Sequence, residues 1–254
     1  MTVIVIMAGG LGKRMNSELP KVLHDVSGLP MLVRVIKTAL RLSPTKIYIV
    51  VGKYIELIKE YLIKHEVMEC VEFIYQEQAL GTGHAIQCCY PYLNDIISFN
   101  QDKKVLILSG DVPLIQPDLL RGLLDSCNES CVASIMTTQM SKPYGYGRII
   151  QEDGVFKKIV EEKDCTHVER NCKIVNAGIY AFQVEYLCEY IFSLETNNAQ
   201  KEYYLTDIFE IISRVEPDKI INTHEIPYER QYELEGVNTK EQLNKMNNLL
   251  NMLK

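Results

Sequence analysis

The chain has 254 residues, of which 47% are hydrophobic and 24% are charged, and 33 acidic against 27 basic side chains give a net charge of −6. This composition is typical of a globular protein and excludes a disordered or fibrous chain. The negative charge argues against a nucleic-acid partner, which needs a basic face, and no apolar stretch approaches the roughly 18 residues of a membrane span.

Strands and helices alternate through the first half of the chain. Short apolar runs predict strands at 2–7, 46–51, 71–75 and 104–108, and helical spacing predicts helices at 31–42, 54–65, 83–93 and 117–127. This alternation predicts an α/β fold with a Rossmann-like, mostly parallel sheet and helices on both faces. Ligands bind such sheets at the carboxyl ends of the strands.

The second half of the chain has a different pattern. Strand-like runs at 131–138, 147–151, 156–160 and 175–182 lack long helices between them, which predicts a smaller antiparallel lobe that completes a mixed sheet over the ligand cleft. Helical spacing returns at 184–194 and 205–215. A capping box, Thr239 to Gln242, predicts the start of a last helix. We expect the apolar stripe of that helix to dock on its own domain; the stripe consists of Leu243, Met246, Leu249, Leu250 and Leu253.

The cysteines and the first residues bear on the cellular compartment. The eight cysteines are scattered, with no CxxC pair and no Cys/His zinc spacing, which is typical of a reduced protein with buried thiols. The start of the chain has the pattern of a strand and lacks the charged region and cleavage site of a signal peptide. We therefore expect a cytoplasmic protein.

A glycine-rich segment, Met7 to Met15 (MAGGLGKRM), follows the first strand. Such a turn lets backbone N–H groups approach a phosphate and form an anion nest. Neither the G-x-G-x-x-G fingerprint nor the Walker A pattern is present. Arg14 and Lys21 follow the loop and suit a triphosphate, because an Arg fork and a second cation can bind phosphoryl oxygens. The alternative is a surface turn with solvated basic side chains.

Three further segments favour a nucleotide site. Gln76 precedes a Gly-Thr-Gly turn that can present backbone groups to a base edge, and its amide can donate and accept hydrogen bonds. Asp111 ends a strongly apolar strand and is a candidate Mg²⁺ ligand, since magnesium takes one or two protein oxygens beside phosphates and water. Asn238 can supply a second oxygen. A turn before Pro113 would also explain Asp111.

In these segments the chain resembles the sugar nucleotidyltransferase family, and within it the uridylyltransferase domain of the N-acetylglucosamine-1-phosphate uridylyltransferases. The similar motifs are MAGGLGKRM, LPKVLH, LGTGHA, GDVPL, YGYGRI, EEKD, NAGIY, NNAQKEYYLTD and EGVN, in the family's order and over nearly all of the chain. Three positions depart from the family pattern: Gly9, Lys13 and Ser109. The A-G-G form is also similar to relatives that use glucose or mannose 1-phosphates. The resemblance does not include the family's acetyltransferase domain, so acetyl transfer is not predicted.

The resemblance implies a role for each matching residue. The catalytic cations would be Arg14 and Lys21, and the metal, Mg²⁺, would bind Asp111 and Asn238. The nucleotide would bind the loop from Gly9 to Arg14 and the residues Ala8, Gly9, Gly10, Gly12, Gln76, Gly81, Thr82 and Gly110. The sugar and its N-acetyl group would contact Gly147, Glu161, Asn176, Tyr204 and Thr206. For Asn176 and Tyr204, ordinary packing at a strand end and a helix start is the alternative.

The resemblance also implies a domain organisation and a reaction. One domain, 1–254, would comprise a nucleotide-binding half (about 1–130), a sugar-binding lobe (about 131–225) and a C-terminal segment and helix (about 226–254). The substrates would be UTP and N-acetylglucosamine 1-phosphate, whose phosphate attacks the α-phosphorus in line with Mg²⁺ assistance. The nucleophile is already an anion, so His24 and His84 need be no more than structural. Alternatives are another base or hexose 1-phosphate, or a non-catalytic sugar-nucleotide sensor.

Overall fold

A computed structural model describes residues 2–10, 12–97 and 103–252 of the chain. The first-half strands are β1 (Thr2–Met7), β2 (Asp25–Val26), β3 (Leu29–Pro30), β4 (Lys46–Val51), β5 (Glu72–Tyr75) and β6 (Lys104–Ser109). The second-half strands are β7 (Cys131–Gln139), β8 (Arg148–Glu152), β9 (Val155–Val160), β10 (Ile174–Gln183) and β11 (Ile220–Glu225). The helices are α1 (Met31–Leu40), α2 (Ile55–Lys64), α3 (Thr82–Gln87), α4 (Tyr90–Ile97), α5 (Pro117–Ser126), α6 (Val184–Tyr190), α7 (Asp207–Val215) and α8 (Lys240–Met252).

Nine of the described strands form one mixed sheet in the order β11-β7-β10-β6-β1-β4-β5, with the β8–β9 hairpin attached to β10, and β2 and β3 pair as a separate two-stranded sheet. The pairs β1–β4, β1–β6, β4–β5 and β11–β7 are parallel, and β10 runs antiparallel to both β6 and β7. The predicted mixed, mostly parallel sheet and its smaller antiparallel part are therefore confirmed. In the antiparallel part, β8 pairs with β9 and contacts β10 through Arg148 and Val175.

Alternating side chains of β1 pack on the two opposite faces of the sheet. Ile4 and Ile6 enter a core with α1, α2 and α5, whereas Val3 and Val5 enter a second core with α3, α4, α6 and α7. All four side chains are at most 2% exposed, as expected for a central strand covered by helices on both faces. A third, smaller cluster holds α8 and consists of Val26, Met31, Leu114, Val237 and Met246.

The last helix docks on its own chain, as predicted from its apolar stripe. Met246 is buried, and Leu243, Leu249 and Leu250 pack partly buried against the same cluster; Leu253 lies outside the described residues. The capping box also forms, because Thr239 Oγ1 accepts a hydrogen bond from Gln242 N at 3.2 Å, while Gln242 Oε1 accepts from Thr239 N at 3.1 Å. Asn238 directly precedes this cap, so the helix start fixes its position.

Two expectations about the elements are corrected. The predicted helix at 83–93 is two helices, α3 and α4, with a break at Cys88 and Cys89. Pro91 explains the break, because proline has no N–H to continue the helical ladder to the carbonyl four residues earlier. The edge strand β11 and the short β2–β3 hairpin were not predicted. The sequence of β11, Ile220 to Glu225, is mostly polar and lacks a buried apolar run.

The thiols are free and mostly inside the protein. All eight cysteines are unpaired, and five of them are buried. Burial raises the pKa of the Cys127 thiol to about 12, so this side chain packs as a small apolar group. Among the described helices, none combines the length and the apolar character that crossing a membrane requires.

Candidate active site

The first glycine loop (residues 8–15) leaves β1 at its carboxyl end. Ala8 N donates to Val50 O at 2.8 Å, which anchors the loop to the neighbouring strand β4. Gly12 has φ +59°, and a Cβ built on it would lie 2.7 Å from Lys21 Cβ. A side chain at this position would therefore push Lys21 away. Leu11 and the side chain of Lys13 lie outside the described residues.

The four residues predicted to bind phosphate and metal converge on one point. Lys21 Nζ donates to Asp111 Oδ2 in a close ion pair and to Asn238 Oδ1 at 2.9 Å. Arg14 Nη2 donates to the same Asn238 Oδ1 at 3.0 Å. The side chains of Lys21 and Asp111 are only 16% and 15% exposed. Residues from three distant parts of the chain thus form one polar network at the carboxyl ends of the central strands β1 and β6.

Backbone contacts hold this network in place. Val237 N donates to Asp111 O at 2.9 Å, so the segment before α8 is tied to the turn after β6. Gly110 N donates to Met7 O at 3.0 Å, and a Cβ built on Gly110 would lie 3.1 Å from that oxygen. Gly110 therefore packs behind the network, where its small size lets β1 and the turn approach each other.

A cavity of about 480 Å³ opens beside the network, between the first glycine loop and a second one (residues 76–83). Its lining includes six of the eight residues predicted to bind the nucleotide, without Gly12 and Gly110, together with the predicted phosphate-binding cation Lys21 and the predicted metal ligand Asp111; the six are Ala8, Gly9, Gly10, Gln76, Gly81 and Thr82. Ser109, Ala79 and Glu202 also line it and were not assigned to the site from the sequence. A concave space with a few convergent polar groups is typical of a small-molecule site.

Gln76 lines this cavity, and hydrogen bonds hold its side chain. The residue is 6% exposed, and its Nε2 donates to Gly81 O at 3.2 Å and lies 3.1 Å from His84 Nδ1. A Cβ built on Gly9 would lie 3.0 Å from Gln76 Oε1, so glycine at this position leaves the amide oxygen room. His84 thereby has a structural contact, consistent with the minor role expected for it.

Four of the residues predicted to bind the sugar lie together in the antiparallel part of the molecule. Thr206 Oγ1 donates to Glu161 Oε1 at 3.0 Å, and a Cβ on Gly147 would lie 3.5 Å from the same oxygen. Asn176 N donates to Gly147 O at 2.9 Å. The Asn176 side chain is occupied within the protein, since its Nδ2 donates to Tyr180 OH at 2.7 Å and its Oδ1 accepts from Gly178 N at 3.0 Å.

The fifth residue, Tyr204, is connected to this group through Asp164, which was not predicted from the sequence and whose N donates to Glu161 O at 2.9 Å. Its hydroxyl donates to Asp164 Oδ2 at 3.2 Å, and Asp164 Oδ1 accepts from Ala199 N at 2.8 Å. Asp164 therefore joins Tyr204 to the loop that precedes it. Asp164 is the last residue of the EEKD motif, so the sequence contained a reason to examine it. Its contact with Tyr204 could not be predicted, because 40 residues separate the two in sequence.

Carboxyl groups in this part of the molecule are poorly solvated. Burial raises the pKa of the Glu161 carboxyl, although the hydrogen bond from Thr206 opposes the shift. Burial also raises the pKa of Asp207 to about 6, and the nearby carboxylates, Glu161 first, act in the same direction. Clustered titratable groups with perturbed pKa values are common at functional sites.

The aromatic segment YGYGRI contributes another residue, Tyr146, that was not predicted as part of the site. The half-buried phenol of Tyr146 lies against the backbone of Gly236 and near Asp111, and burial raises its pKa. Arg148, which is 2% exposed, pairs with Glu162 at 2.7 Å. Glu162 also accepts from Gly145 N at 3.1 Å. These contacts fix the loop that carries Gly147 beside Glu161.

Comparison with known proteins identifies relatives that cover most of the chain. Residues 4–153 match the model of the MobA-like NTP transferase domain. A probable UDP-N-acetylglucosamine pyrophosphorylase of Acanthamoeba polyphaga mimivirus is 41% identical over 94% of this chain and 92% of its own length. The bifunctional protein GlmU of Herminiimonas arsenicoxydans is 40% identical over 94% of this chain, which spans 50% of the length of that relative.

Solved structures support the fold at lower sequence identity. A UDP-glucose pyrophosphorylase complexed with UDP-glucose superimposes over the full length of both chains with a TM-score of 0.73 and 17% identity. A putative glucose-1-phosphate thymidylyltransferase from Bacillus anthracis, in complex with sucrose, covers 98% of this chain and 95% of its own with a TM-score of 0.71 and 18% identity. At these identities the likeness establishes the fold alone.

Proposed function

We propose that this chain, which belongs to the MobA-like NTP transferase family, forms UDP-N-acetylglucosamine and pyrophosphate from UTP and N-acetylglucosamine 1-phosphate. Two relatives at 40% and 41% identity support this choice, one of them bearing the name of a probable UDP-N-acetylglucosamine pyrophosphorylase. The acetyl-transfer half of a bifunctional protein is no part of the proposal.

One observation carries the proposal: four polar residues meet beside a cavity that Gln76 lines, and the four are Arg14, Lys21, Asp111 and Asn238. Two cations and two oxygen ligands are the set that a triphosphate with its metal needs. Gln76 offers an amide to a base edge. A copy that had lost its activity would be expected to have lost at least one of these four residues, and all four are present.

The Asp111 and Asn238 oxygens fit a divalent cation. Both oxygens already contact a single positive group, the Lys21 ammonium, so they converge on one cation position. Among the described residues no three acidic, His or Cys side chains gather closely enough to hold a metal themselves. Mg²⁺ suits such a site, because it takes few protein ligands and completes its octahedron with phosphate and water. When bound, it would neutralise phosphate charge next to the reacting phosphorus.

The proposed reaction needs positioning and charge neutralisation more than proton transfer. A phosphate oxygen of the sugar 1-phosphate forms a bond to the α-phosphorus of UTP, while the bond from that phosphorus to the bridging oxygen breaks and pyrophosphate leaves. The nucleophile is an anion at neutral pH, so no general base is required. Arg14 and Lys21 stabilise the charge that develops on the leaving pyrophosphate.

The antiparallel lobe would hold the acceptor sugar. Glu161 can accept hydrogen bonds from sugar hydroxyls, and Thr206 already donates to one of its oxygens. Gly147 leaves space next to the same carboxylate. In this proposal residues of about 1–130 bind the nucleotide, about 131–225 bind the sugar, and about 226–254 supply Asn238 and α8. We also propose that the enzyme works in the cytoplasm, where its free thiols would stay reduced.

A substrate panel tests the proposed function. The chain is incubated with Mg²⁺, one of UTP, dTTP, GTP or CTP, and either N-acetylglucosamine 1-phosphate or glucose 1-phosphate, and pyrophosphate release is measured. We expect release with UTP and the N-acetyl sugar, and none when EDTA removes the metal. Release only with another nucleotide or only with glucose 1-phosphate would refute the assignment of these substrates. No release with any pair would refute the proposal that the chain is an active nucleotidyltransferase.

A further inference from the structure

The second glycine loop (residues 76–83) is bound directly to the segment that carries two of the predicted sugar-binding residues. Tyr203 N donates to Leu80 O at 2.8 Å, and Tyr203 O accepts from Gly83 N at 2.7 Å. One residue of the segment 201–206 thus pairs with both sides of the loop. The nucleotide loop and the sugar segment are adjacent, although more than a hundred residues separate them in sequence.

The close contact between the second glycine loop and the segment around Tyr203 requires glycine at both positions 81 and 83. Gly81 has φ +115°, and a Cβ built on it would lie 2.5 Å from Tyr203 O. A Cβ on Gly83 would lie 2.4 Å from Leu194 Cδ1 and 2.9 Å from Tyr203 O. Real Cβ atoms do not approach backbone so closely, so any other residue would force the two segments apart.

Thr82, between the two glycines, makes a third connection through its side chain. Its Oγ1 accepts a hydrogen bond from Leu205 N at 3.0 Å. Leu205 is 1% exposed, so its N–H has no access to water and would be left unsatisfied without the hydroxyl. Leu205 stands between Tyr204 and Thr206, so the Thr82 hydroxyl fixes the middle of the predicted sugar-binding segment.

We infer that Thr82 is a positioning residue for the acceptor sugar: its hydroxyl holds Tyr204 and Thr206 in register with the nucleotide loop. This inference rests on the proposed function. It assigns Thr82 a role beyond the contact with uracil that the resemblance implies. Three hydrogen bonds join the loop to the segment. A substitution of Thr82 in the nucleotide loop should therefore shift the position of the predicted sugar-binding residues Tyr204 and Thr206.

Kinetics of Thr82→Val, Thr82→Ser and Thr82→Ala in the full chain test the inference. Valine has nearly the shape of threonine but cannot accept the hydrogen bond, whereas serine can. We expect Thr82→Val and Thr82→Ala to raise KM for N-acetylglucosamine 1-phosphate about tenfold, as the loss of one buried hydrogen bond would, with a smaller change in KM for UTP. Thr82→Ser should recover most of this loss. Thr45→Val, at an exposed threonine before β4, is the matched control.

The opposite kinetic pattern would overturn the inference. If Thr82 contacted only the base, Thr82→Val would raise KM for UTP and leave KM for the sugar phosphate at the parent value. Equal KM values for valine and serine variants would equally contradict a role for the hydroxyl. Melting temperatures of all variants separate these effects from a loss of folding.

Amide hydrogen exchange provides a readout that does not depend on activity. The Leu205 amide should exchange faster in Thr82→Val and Thr82→Ala than in the parent or in Thr82→Ser, while amides of β1 stay unchanged. Unaltered exchange at Leu205 would show that the hydroxyl does not hold the segment and would refute the inference. The two proposals can fail separately. If the parent releases no pyrophosphate, the proposed function is refuted; faster exchange at Leu205 in the valine and alanine variants would still show that the Thr82 hydroxyl holds the segment.

Discussion

The Lys21 side chain joins two parts of the chain that are far from it in sequence. Its ammonium contacts Asp111 and Asn238, which lie 90 and 217 positions away in the sequence. A buried or half-buried cation is stable only beside such oxygen partners. Metal and phosphate binding would rearrange these contacts, since the same two oxygens are the candidate ligands of the metal.

Loss of either the metal ligand or the Arg fork should reduce turnover strongly. We expect Asp111→Ala and Arg14→Ala each to lower kcat about a hundredfold or more, because each removes a group that stabilises charge in the transition state. Arg14 is exposed, so its substitution should leave the free energy of unfolding nearly unchanged. Pyrophosphate release under saturating substrates measures the first effect, and urea unfolding measures the second.

Asp125→Ala and Arg214→Ala are matched controls for these two variants. Both residues are exposed near the ends of helices, Asp125 in α5 and Arg214 in α7. They should retain the turnover of the parent. Turnover of Asp111→Ala and Arg14→Ala equal to that of the controls would contradict the proposed phosphate and metal site.

Among the secondary-structure elements, helix α8 both contributes to the stability of the fold and positions a residue of the candidate site. Met246 buries the helix in the cluster with Val26 and Met31, and the capping box satisfies N–H groups at its start. Asn238 lies immediately before the cap. An element at the far end of the chain therefore sets the position of an oxygen in the candidate metal site.

Removing the cap should destabilise the protein and displace that oxygen. We expect Thr239→Ala to lower the free energy of unfolding by about 1 kcal/mol, since the hydroxyl that caps Gln242 N is lost. Thr239→Ser keeps the hydroxyl and should lie near the parent. Urea denaturation of both variants tests this expectation, and equal midpoints for alanine and serine would show that the cap does not contribute.

At the scale of the whole molecule, stability depends on pH through buried carboxyl groups. Burial raises the pKa of Asp207 to about 6 from its usual value of 3.8, and it also raises the pKa of Glu161. The folded state therefore binds protons more tightly at these groups than the unfolded state does. Their contribution to stability is fully present below the usual value and is lost as the pH rises through the folded value.

Replacement of Asp207 by Asn should remove part of this pH dependence. We expect Asp207→Asn and the parent to have similar free energies of unfolding near pH 4, and the variant to become the more stable protein as the pH rises toward 7. Unfolding by urea at several pH values measures the difference. A difference that stays constant across this range would mean that the Asp207 carboxyl titrates normally in the folded protein.

Much of the fold could be predicted from local sequence patterns. The runs that became β1 and β4 were predicted with the bounds found in the structure, because a buried strand is an uninterrupted apolar segment. The break between α3 and α4 also follows from a local rule, because Pro91 cannot donate the hydrogen bond that would continue the helix. The edge strand β11 was missed, because a polar segment can pair at the edge of a sheet without any apolar signal.

For the site, the sequence by itself determined which residue types were available: glycine loops, two cations, a carboxylate and an amide, each at the end of an element. The tertiary structure decided which of them meet. It brought Lys21 to Asp111 and Asn238, gave Tyr204 its partner Asp164, and assigned the Thr82 hydroxyl to Leu205. Propensity and periodicity act over a few neighbouring residues, whereas these contacts depend on the order of strands in the sheet.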